Sequence, residues 1–101
     1  MKFAYICAMP GATTASIKKI EDNDAGTFFI ALVPMNKRDL AIDVAKELID
    51  DYKVQMIELC GGLANAKLVA KVKEAIHDAV PVGAVYYGPE SRRPLVDLLH
   101  L

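Results

Sequence analysis

Three side chains in this sequence have the chemistry of catalytic groups, and each lies in or at the end of an apolar segment. Cys7 lies near the end of segment 2–8 and Cys60 ends segment 54–60, where a thiolate could act as a nucleophile. Glu58 lies inside the second segment, where a partly buried carboxylate could act as a general base. Both cysteines could equally be small buried apolar residues. Glu58 could instead pair with a lysine or lie exposed near a strand end.

Two loops have the composition of anion-binding turns. Gly61 and Gly62 follow an apolar segment, and glycine lets a backbone approach a ligand closely while the next amides face an anion. Segment 10–14 supplies a glycine and two threonine hydroxyls near a possible helix start. Each loop could instead be a plain turn, and the Gly61–Gly62 turn would then need positive φ. The predicted ligand-binding residues follow four apolar segments and are Gly11, Thr13, Thr14, Asn36, Gly61, Gly62 and Tyr87.

Four apolar segments, at 2–8, 27–34, 54–60 and 81–87, are predicted to be strands. Three of them are nearly continuous runs without polar alternation, which is typical of parallel strands that are covered on both faces. Gly and Pro residues bound these segments, so each one has room to end in a turn before the next element.

Two segments between the predicted strands have helical periodicity. Residues 37–51 and 65–79 each carry one apolar stripe opposite charged side chains. Asn36 and Asn65 are the predicted N-caps of these helices. The lysines of the second helix, among them Lys67 and Lys71, are interpreted as a solvated face.

Two further segments have weaker patterns. Residues 12–22 are predicted to form a short helix, although the Thr13–Thr14 pair makes a poor helix start. The residues after Gly88 are predicted to form one short helix, with Pro94 in its first turn.

The alternation of strands and helices predicts an α/β fold built on a small, open, four-stranded parallel sheet with helices on both faces. Numbering the predicted strands along the chain, the expected order is 2-1-3-4, a flavodoxin-like arrangement. Ligands of such sheets bind beyond the carboxyl ends of the strands, at the switch point between the first and third strands. The candidate residues above are expected at this edge.

Length and charge exclude several classes of protein. The chain has 101 residues, which indicates a single α/β domain over 1–101, with a core at 2–87 and a short helix and tail at 88–101. Its net charge of −1 argues against a general nucleic-acid binder or a protein held to anionic lipid. No apolar segment approaches the length of a membrane helix, and the amino-terminal run is too short for a secretory signal. We therefore predict a cytoplasmic location.

Neither a metal site nor a cofactor is predicted. The two cysteines, Cys7 and Cys60, do not form a Cys-x-x-Cys motif, and His77 and His100 are isolated in the sequence. Two cysteines are also too few for a secreted disulfide scaffold.

Three short motifs carry a resemblance to a known group of proteins. They are A-M-P-G at 8–11, I-E-L-C-G-G at 57–62 and V-P-V-G at 80–83. With these motifs the chain resembles an uncharacterised family of small prokaryotic α/β proteins, a domain of unknown function. The resemblance extends from Lys2 to about Tyr86, and the residues after Gly88 look like an addition. It implies a compact α/β domain and no particular activity.

A second resemblance concerns the loop after Cys7. The run from Cys7 to Thr14 is similar to the loop of sugar-phosphotransferase IIB subunits of the lactose/cellobiose type, which carry a phosphorylated cysteine at the end of their first strand. The resemblance implies a phosphocysteine carrier with Cys7 as the acceptor. Two departures from that pattern are the displaced glycine and Pro10, which removes a backbone donor from the loop.

The leading functional hypothesis is a module that binds a small anionic metabolite at the strand ends, with or without catalysis. The alternative is a non-catalytic homo-oligomer, a dimer or larger. It is suggested by the exposed edges of the sheet and by a leucine-rich tail that includes Leu95, Val96, Leu98, Leu99 and Leu101.

Overall fold

The computed structural model describes residues 1–100, which form one mixed sheet of five strands, three α-helices and three short 3-10 helices. The strands are β1 (Lys2–Met9), β2 (Ser16–Asn23), β3 (Gly26–Pro34), β4 (Met56–Leu59) and β5 (Val82–Ala84). The helices are α1 (Leu40–Asp50), α2 (Ala66–Ala75) and α3 (Arg92–Leu99), and the 3-10 turns are Met35–Lys37, Gly61–Leu63 and Pro89–Ser91.

The strand order is β2-β3-β1-β4-β5, and every neighbouring pair is parallel except β2 with β3. The four predicted strands are β1, β3, β4 and β5, and they neighbour one another in the expected order. The α/β class is therefore confirmed. The four-stranded, flavodoxin-like sheet is not matched, because a fifth and antiparallel strand extends the sheet at the β3 edge.

The prediction of a helix over residues 12–22 is wrong, because Ser16–Asn23 form β2. This strand makes a hairpin with β3, and the side chain of Asn23 sets the turn. Asn23 Oδ1 accepts hydrogen bonds from the N–H groups of Ala25 at 2.8 Å and Gly26 at 3.3 Å, an arrangement that favours chain reversal. A register shift between Lys19 and Glu21 adds a bulge to the strand.

The hydrophobic core lies on one face of the sheet only. Alternate residues of the three central strands are buried, and they pack in one cluster with the buried stripes of α1 and α2. Both helices connect parallel strands in the same direction across the sheet, so right-handed crossovers place them on the same face. The opposite face was expected to be crossed by the helix predicted over residues 12–22. Those residues contain β2 instead, so this part of the prediction is wrong and that connection adds no helix to a second layer.

The other face of the sheet, here named the open face, carries the residues that alternate with the core positions. They are half-buried rather than buried, so the side chains of this face lie outside the fully buried core. The open-face residues of the three central strands are Phe3, Tyr5, Cys7, Phe28, Ile30, Leu32, Met56 and Glu58.

The two predicted helix caps differ in outcome. Asn36 lies in the 3-10 turn Met35–Lys37, and α1 begins at Leu40 after Asp39, so Asn36 does not cap this helix. Asn65 does cap α2, because its Oδ1 accepts hydrogen bonds from the N–H groups of Lys67 at 2.9 Å and Leu68 at 3.1 Å. Two N–H groups that have no partner within the helix are thereby satisfied.

We expect Asn65→Ala to lower the free energy of unfolding by about 1 kcal/mol, because both hydrogen bonds to the first turn of α2 are lost. Asn65→Asp keeps an acceptor at the same place and should lose much less. Asn36→Ala is a matched control, since that asparagine caps no helix. Urea denaturation of the three variants measures the differences, and equal losses for Asn65→Ala and Asn36→Ala would contradict the assignment.

The carboxyl-terminal segment forms the predicted short helix, with Pro94 in the first turn of α3. No residue of α3 is buried, and Leu98 and Leu99 are exposed. Leu101, the last residue of the predicted apolar tail, lies outside the described residues. Among residues 1–100, no helix combines the length and the apolarity that a membrane crossing requires.

Candidate functional site

The carboxyl ends of the parallel strands meet at one edge of the sheet, as expected for this topology. β1, β3 and β4 end at Met9, Pro34 and Leu59. The loops that follow them therefore lie side by side. Two cavities open along this edge, and Arg38 lines both of them.

The first cavity has a volume of about 320 Å³ and lies between the starts of α1 and α2. Among the described residues that line it, three are cationic and one is acidic. Lys67 and Lys71 lie one turn apart on α2 and so share a face, and Arg38 faces them from the segment before α1. The full lining is Arg38, Asp39, Gly62, Asn65, Lys67, Leu68 and Lys71.

The guanidinium of Arg38 is held in place by its own chain. Its Nε–H donates a hydrogen bond of 3.0 Å to the carbonyl oxygen of Met35. This bond uses one of the five N–H donors of the guanidinium and leaves the two terminal nitrogens for a ligand. Such a fork matches the oxygen spacing of a carboxylate or phosphate.

The second cavity has a volume of about 610 Å³ and continues from Arg38 to the loop after β1. Gly11 lies in this loop at φ +84°, a conformation that glycine adopts without steric cost. The residues that line the cavity are Pro10, Gly11, Ala12, Thr13, Met35, Asn36 and Arg38. Gly11, Thr13 and Asn36 thus lie in one cavity, and Gly62 lies in the other.

Thr14, Gly61 and Tyr87 line neither cavity. A Cβ atom at Gly61 would lie 3.2 Å from Cε2 of Tyr87, so this glycine leaves room for the tyrosine ring. The alternative interpretation of Gly61–Gly62 as a turn with positive φ is wrong, since Gly11 is the one glycine of residues 1–100 with positive φ. Both glycines instead begin a 3-10 helix, where N–H groups have no intrahelical acceptor.

Cys7 on β1 and Cys60, directly after β4, are neighbours in the structure. The N–H of Cys60 bonds the carbonyl oxygen of Ile6 at 2.9 Å, and the N–H of Ala8 donates to Cys60 Sγ at 3.2 Å. The sulfur thus takes a hydrogen bond from β1 at the point where β4 leaves the sheet. Burial, together with the nearby Cys60, raises the pKa of Cys7 from 9.0 to about 11. Cys7 is therefore protonated near neutral pH.

Glu58 lies on the open face, where β4 pairs it with Tyr5 of β1. Burial is the main cause of the raised pKa of Tyr5, and the nearby groups of Cys7, Cys60, Tyr87 and Glu58 add to the effect. The predicted catalytic candidates Cys7, Cys60 and Glu58 therefore lie near Tyr5. None of them lines either of the two cavities. Sequence reasoning missed this tyrosine, although the alternation of strand side chains places it on the same face as Cys7.

Sequence reasoning also missed the cations of the first cavity. Lys67 and Lys71 were interpreted as a solvated face, and Arg38 was not singled out. The spacing of the lysines, one helical turn apart and directly after the Asn65 cap, is a signal that a cationic patch lies near the start of α2. The approach of Arg38 depends on the packing of α1 beside α2, which no local pattern reveals.

Within residues 1–100, no three side chains of His, Cys, Asp or Glu come together as a group that could hold a metal ion.

Comparison with known proteins gives a family and no activity. No curated protein and no solved structure matches the chain. One family model matches residues 1–100, so the residues after Gly88 belong to the shared pattern and are not an addition to it. The chain therefore belongs to DUF6506, a family of unknown function.

Proposed function

We propose that this protein binds a small anionic metabolite at the carboxyl edge of its sheet, with Arg38 as the central contact. The observation that supports this most is the charge of the first cavity, where Arg38, Lys67 and Lys71 surround about 320 Å³ with Asp39 as the one acidic side chain among the lining residues. A phosphate or carboxylate bound in this cavity would be attracted by all three cations.

The cations have different roles in this proposal. Arg38 orients the anion through two parallel hydrogen bonds, because its Nε is already bound to Met35. Lys67 and Lys71 supply mobile positive charge from one face of α2. The amides of the first turn of α2 contribute only their dipole, because the Asn65 side chain already occupies two of them.

The second cavity would hold the uncharged part of the ligand. Its volume of about 610 Å³ lies within the usual range of small-molecule sites. Thr13 supplies a hydroxyl and Asn36 supplies an amide, so a sugar or another hydroxylated group would find partners there. The ligand class that fits both cavities is a phosphorylated or carboxylated metabolite with a polar body.

Catalysis is not part of this proposal. Glu58, Cys7 and Cys60 remain the candidate reactive groups, but none of them lines either cavity. The phosphocysteine alternative has less support, because Cys7 is protonated near neutral pH. The cytoplasmic location stays a prediction from the sequence.

Titration with inorganic phosphate and pyrophosphate, followed by amide chemical shifts, tests the proposal. We expect saturable shifts at Arg38, Gly62 and Lys67. Arg38→Gln should weaken binding about 10-fold to 100-fold, because hydrogen bonds to charged groups contribute about 1.5–3 kcal/mol. Arg38→Lys keeps the charge but not the forked guanidinium. Its affinity for the anion should lie between those of the native chain and Arg38→Gln.

Arg92→Gln is the matched control, because Arg92 is an exposed cation on α3 away from both cavities. It removes the same charge and should leave the affinity unchanged. Equal weakening by both variants would mean non-specific attraction. The proposal fails in that case, or if neither anion produces saturable shifts at millimolar concentration.

A further inference from the structure

We infer that the open face packs against the same face of a second copy of the chain, with Lys18 against Glu58 of the partner subunit. This inference concerns the side of the sheet opposite α1 and α2. It rests on different residues from the proposed anion site, so the two can fail separately.

The open face has the composition of an interface core. Its two inner strands, β1 and β3, carry apolar and aromatic side chains, and the rings of Phe3 and Phe28 stack at a centroid distance of 5.0 Å near the amino-terminal end of β1. Ile30 and Leu32 continue this surface along β3, and all four side chains are only half-buried. Parallel strands are ordinarily covered on both faces, so the part of these apolar side chains that stays exposed favours a further contact.

The size of the face suits a dimer. Strands β2, β3, β1 and β4 have 8, 9, 8 and 4 residues. At about 4.8 Å between strands and about 3.3 Å per residue, they cover roughly 460 Å² in each copy. Two such faces bury roughly 900 Å², close to the lower limit of about 1,000 Å² for a specific interface between proteins.

The charges favour a second copy as the occupant. The register places Lys18, Ile30, Tyr5, Glu58 and Gly83 in one row across the sheet, with a cation on β2 and an anion on β4. A twofold axis parallel to the strands, between β1 and β3, reverses this row in the partner. Each Lys18 then faces a Glu58 of the partner subunit, so the interface is complementary to itself.

The intrachain partners of these two side chains support the same conclusion. Among residues 1–100, the ion pairs within the chain are Lys19–Asp22 and Arg93–Asp97. Lys18 and Glu58 take part in neither of them. The same axis places Phe3 opposite Phe28 of the partner subunit, which brings the two aromatic stacks together near the amino-terminal end of β1.

Pairing through the edges of the sheet is less favourable. The outer strand β2 carries Lys18, Lys19, Glu21 and Asp22 and contains a bulge. Charges and bulges are the devices that keep edge strands from pairing with another chain. The other edge, β5, has only three residues. The face of the sheet is therefore the better surface for self-association.

Charge reversal tests the inference, with mass measured by light scattering over a range of protein concentrations. We expect a dimer for the native chain. K18E and E58K should each raise the dimer dissociation constant at least 10-fold, because both copies of the row then bring like charges together. The double variant restores opposite charges at both contacts and should recover most of the affinity.

The control is K19E, which changes the charge by the same amount on the neighbouring residue. Lys19 pairs with Phe29 in the sheet register and lies on the helix side, so its reversal should leave the dimer intact. Far-UV circular dichroism confirms that each variant folds. If a reversed variant does not fold, Lys18→Gln and Glu58→Gln take its place and should weaken the dimer in the same direction.

Three outcomes would overturn the inference. A native chain that stays monomeric at every concentration would show that no second copy binds the face, including the case in which α3 of the same chain covers it. A dimer that survives both charge reversals would place the interface elsewhere. A dimer lost in L98E and L99E but kept in K18E would assign it to the exposed leucines of α3.

Discussion

Cys7 should react with iodoacetamide about 100-fold more slowly at pH 7 than a cysteine with the ordinary pKa of 9.0. Its pKa of about 11, raised mainly by burial and further by Cys60, leaves a correspondingly smaller fraction as thiolate. Digestion and mass spectrometry after timed alkylation give the rate for Cys7 separately from Cys60. The rate should rise tenfold for each pH unit up to about pH 11.

Cys60→Ala provides the matched variant for this measurement. It removes the neighbouring thiol but leaves β1 in place, so Cys7 should react faster than in the native chain yet still more slowly than a free thiol. A native Cys7 rate that already levels off near pH 9 would show that burial does not perturb this thiol.

The same pKa shift predicts how stability depends on pH. The unfolded chain loses the Cys7 proton near pH 9, whereas the folded chain holds it to about pH 11. Ionisation therefore favours the unfolded chain, and the contribution to stability is complete below pH 9 and is lost as the pH rises through 11. The raised pKa of Tyr5 acts in the same direction. Cys7→Ala should show a smaller decline in this range by urea denaturation.

Ile6→Ala should lower the free energy of unfolding by about 2–5 kcal/mol, the usual loss for truncating a fully buried isoleucine. Ile6 has no exposed surface, and β1 lies at the centre of the sheet between β3 and β4. Its neighbours in register are Ala31 and Leu59, which are also fully buried. The cavity left by the truncation is enclosed by rigid strands, so little of it can close.

Ile20→Ala is the matched control for Ile6→Ala. The same atoms are removed, but Ile20 is 52% exposed and lies at the bulge of β2. Its loss should change the free energy of unfolding by less than about 0.5 kcal/mol. Urea denaturation of both variants measures the contrast, and similar losses would mean that the core is not centred on β1.

The core elements were predictable because each one carries a strong local pattern. The apolar stripe of α1, with Val44 and Leu48 buried, and the Asn65 cap of α2 both follow from helical spacing and cap chemistry. β2 was not predictable in the same way. Its bulge between Lys19 and Glu21 interrupts the two-residue alternation and leaves Ile17 and Ile20 at a helix-like spacing.

The second missing layer of helices has the same origin as the missed strand. A crossover helix between β1 and β3 would have passed over the opposite face of the sheet. The chain makes the antiparallel β2 at the edge instead, so that connection covers neither face. A single mistaken element therefore removed the crossover helix on which the predicted second layer depended.

The position of the candidate site could be predicted, but its contacts could not. Ligands of parallel sheets bind beyond the carboxyl ends of the strands, and Gly11, Thr13 and Asn36 line one cavity at that edge. The cation Arg38 was missed because its role depends on the packing of α1 beside α2. The predicted reactive groups were separated from the cavities by the pleat of the strands, which turns Glu58 and Cys7 toward the open face.

The β2–β3 hairpin also gives the folding of this chain a natural order. Its strands are joined by a short turn at Asn23–Gly26, so closing it costs little chain entropy. β1 pairs with β3 of this hairpin over a separation of 25 residues, Lys2 to Thr27, and with β4 over 53 residues, Phe3 to Met56. We therefore expect β1 to join the hairpin before it pairs with β4, because the longer loop costs more entropy to close. On this basis the pairing at the middle of the sheet, between β1 and β4, forms last.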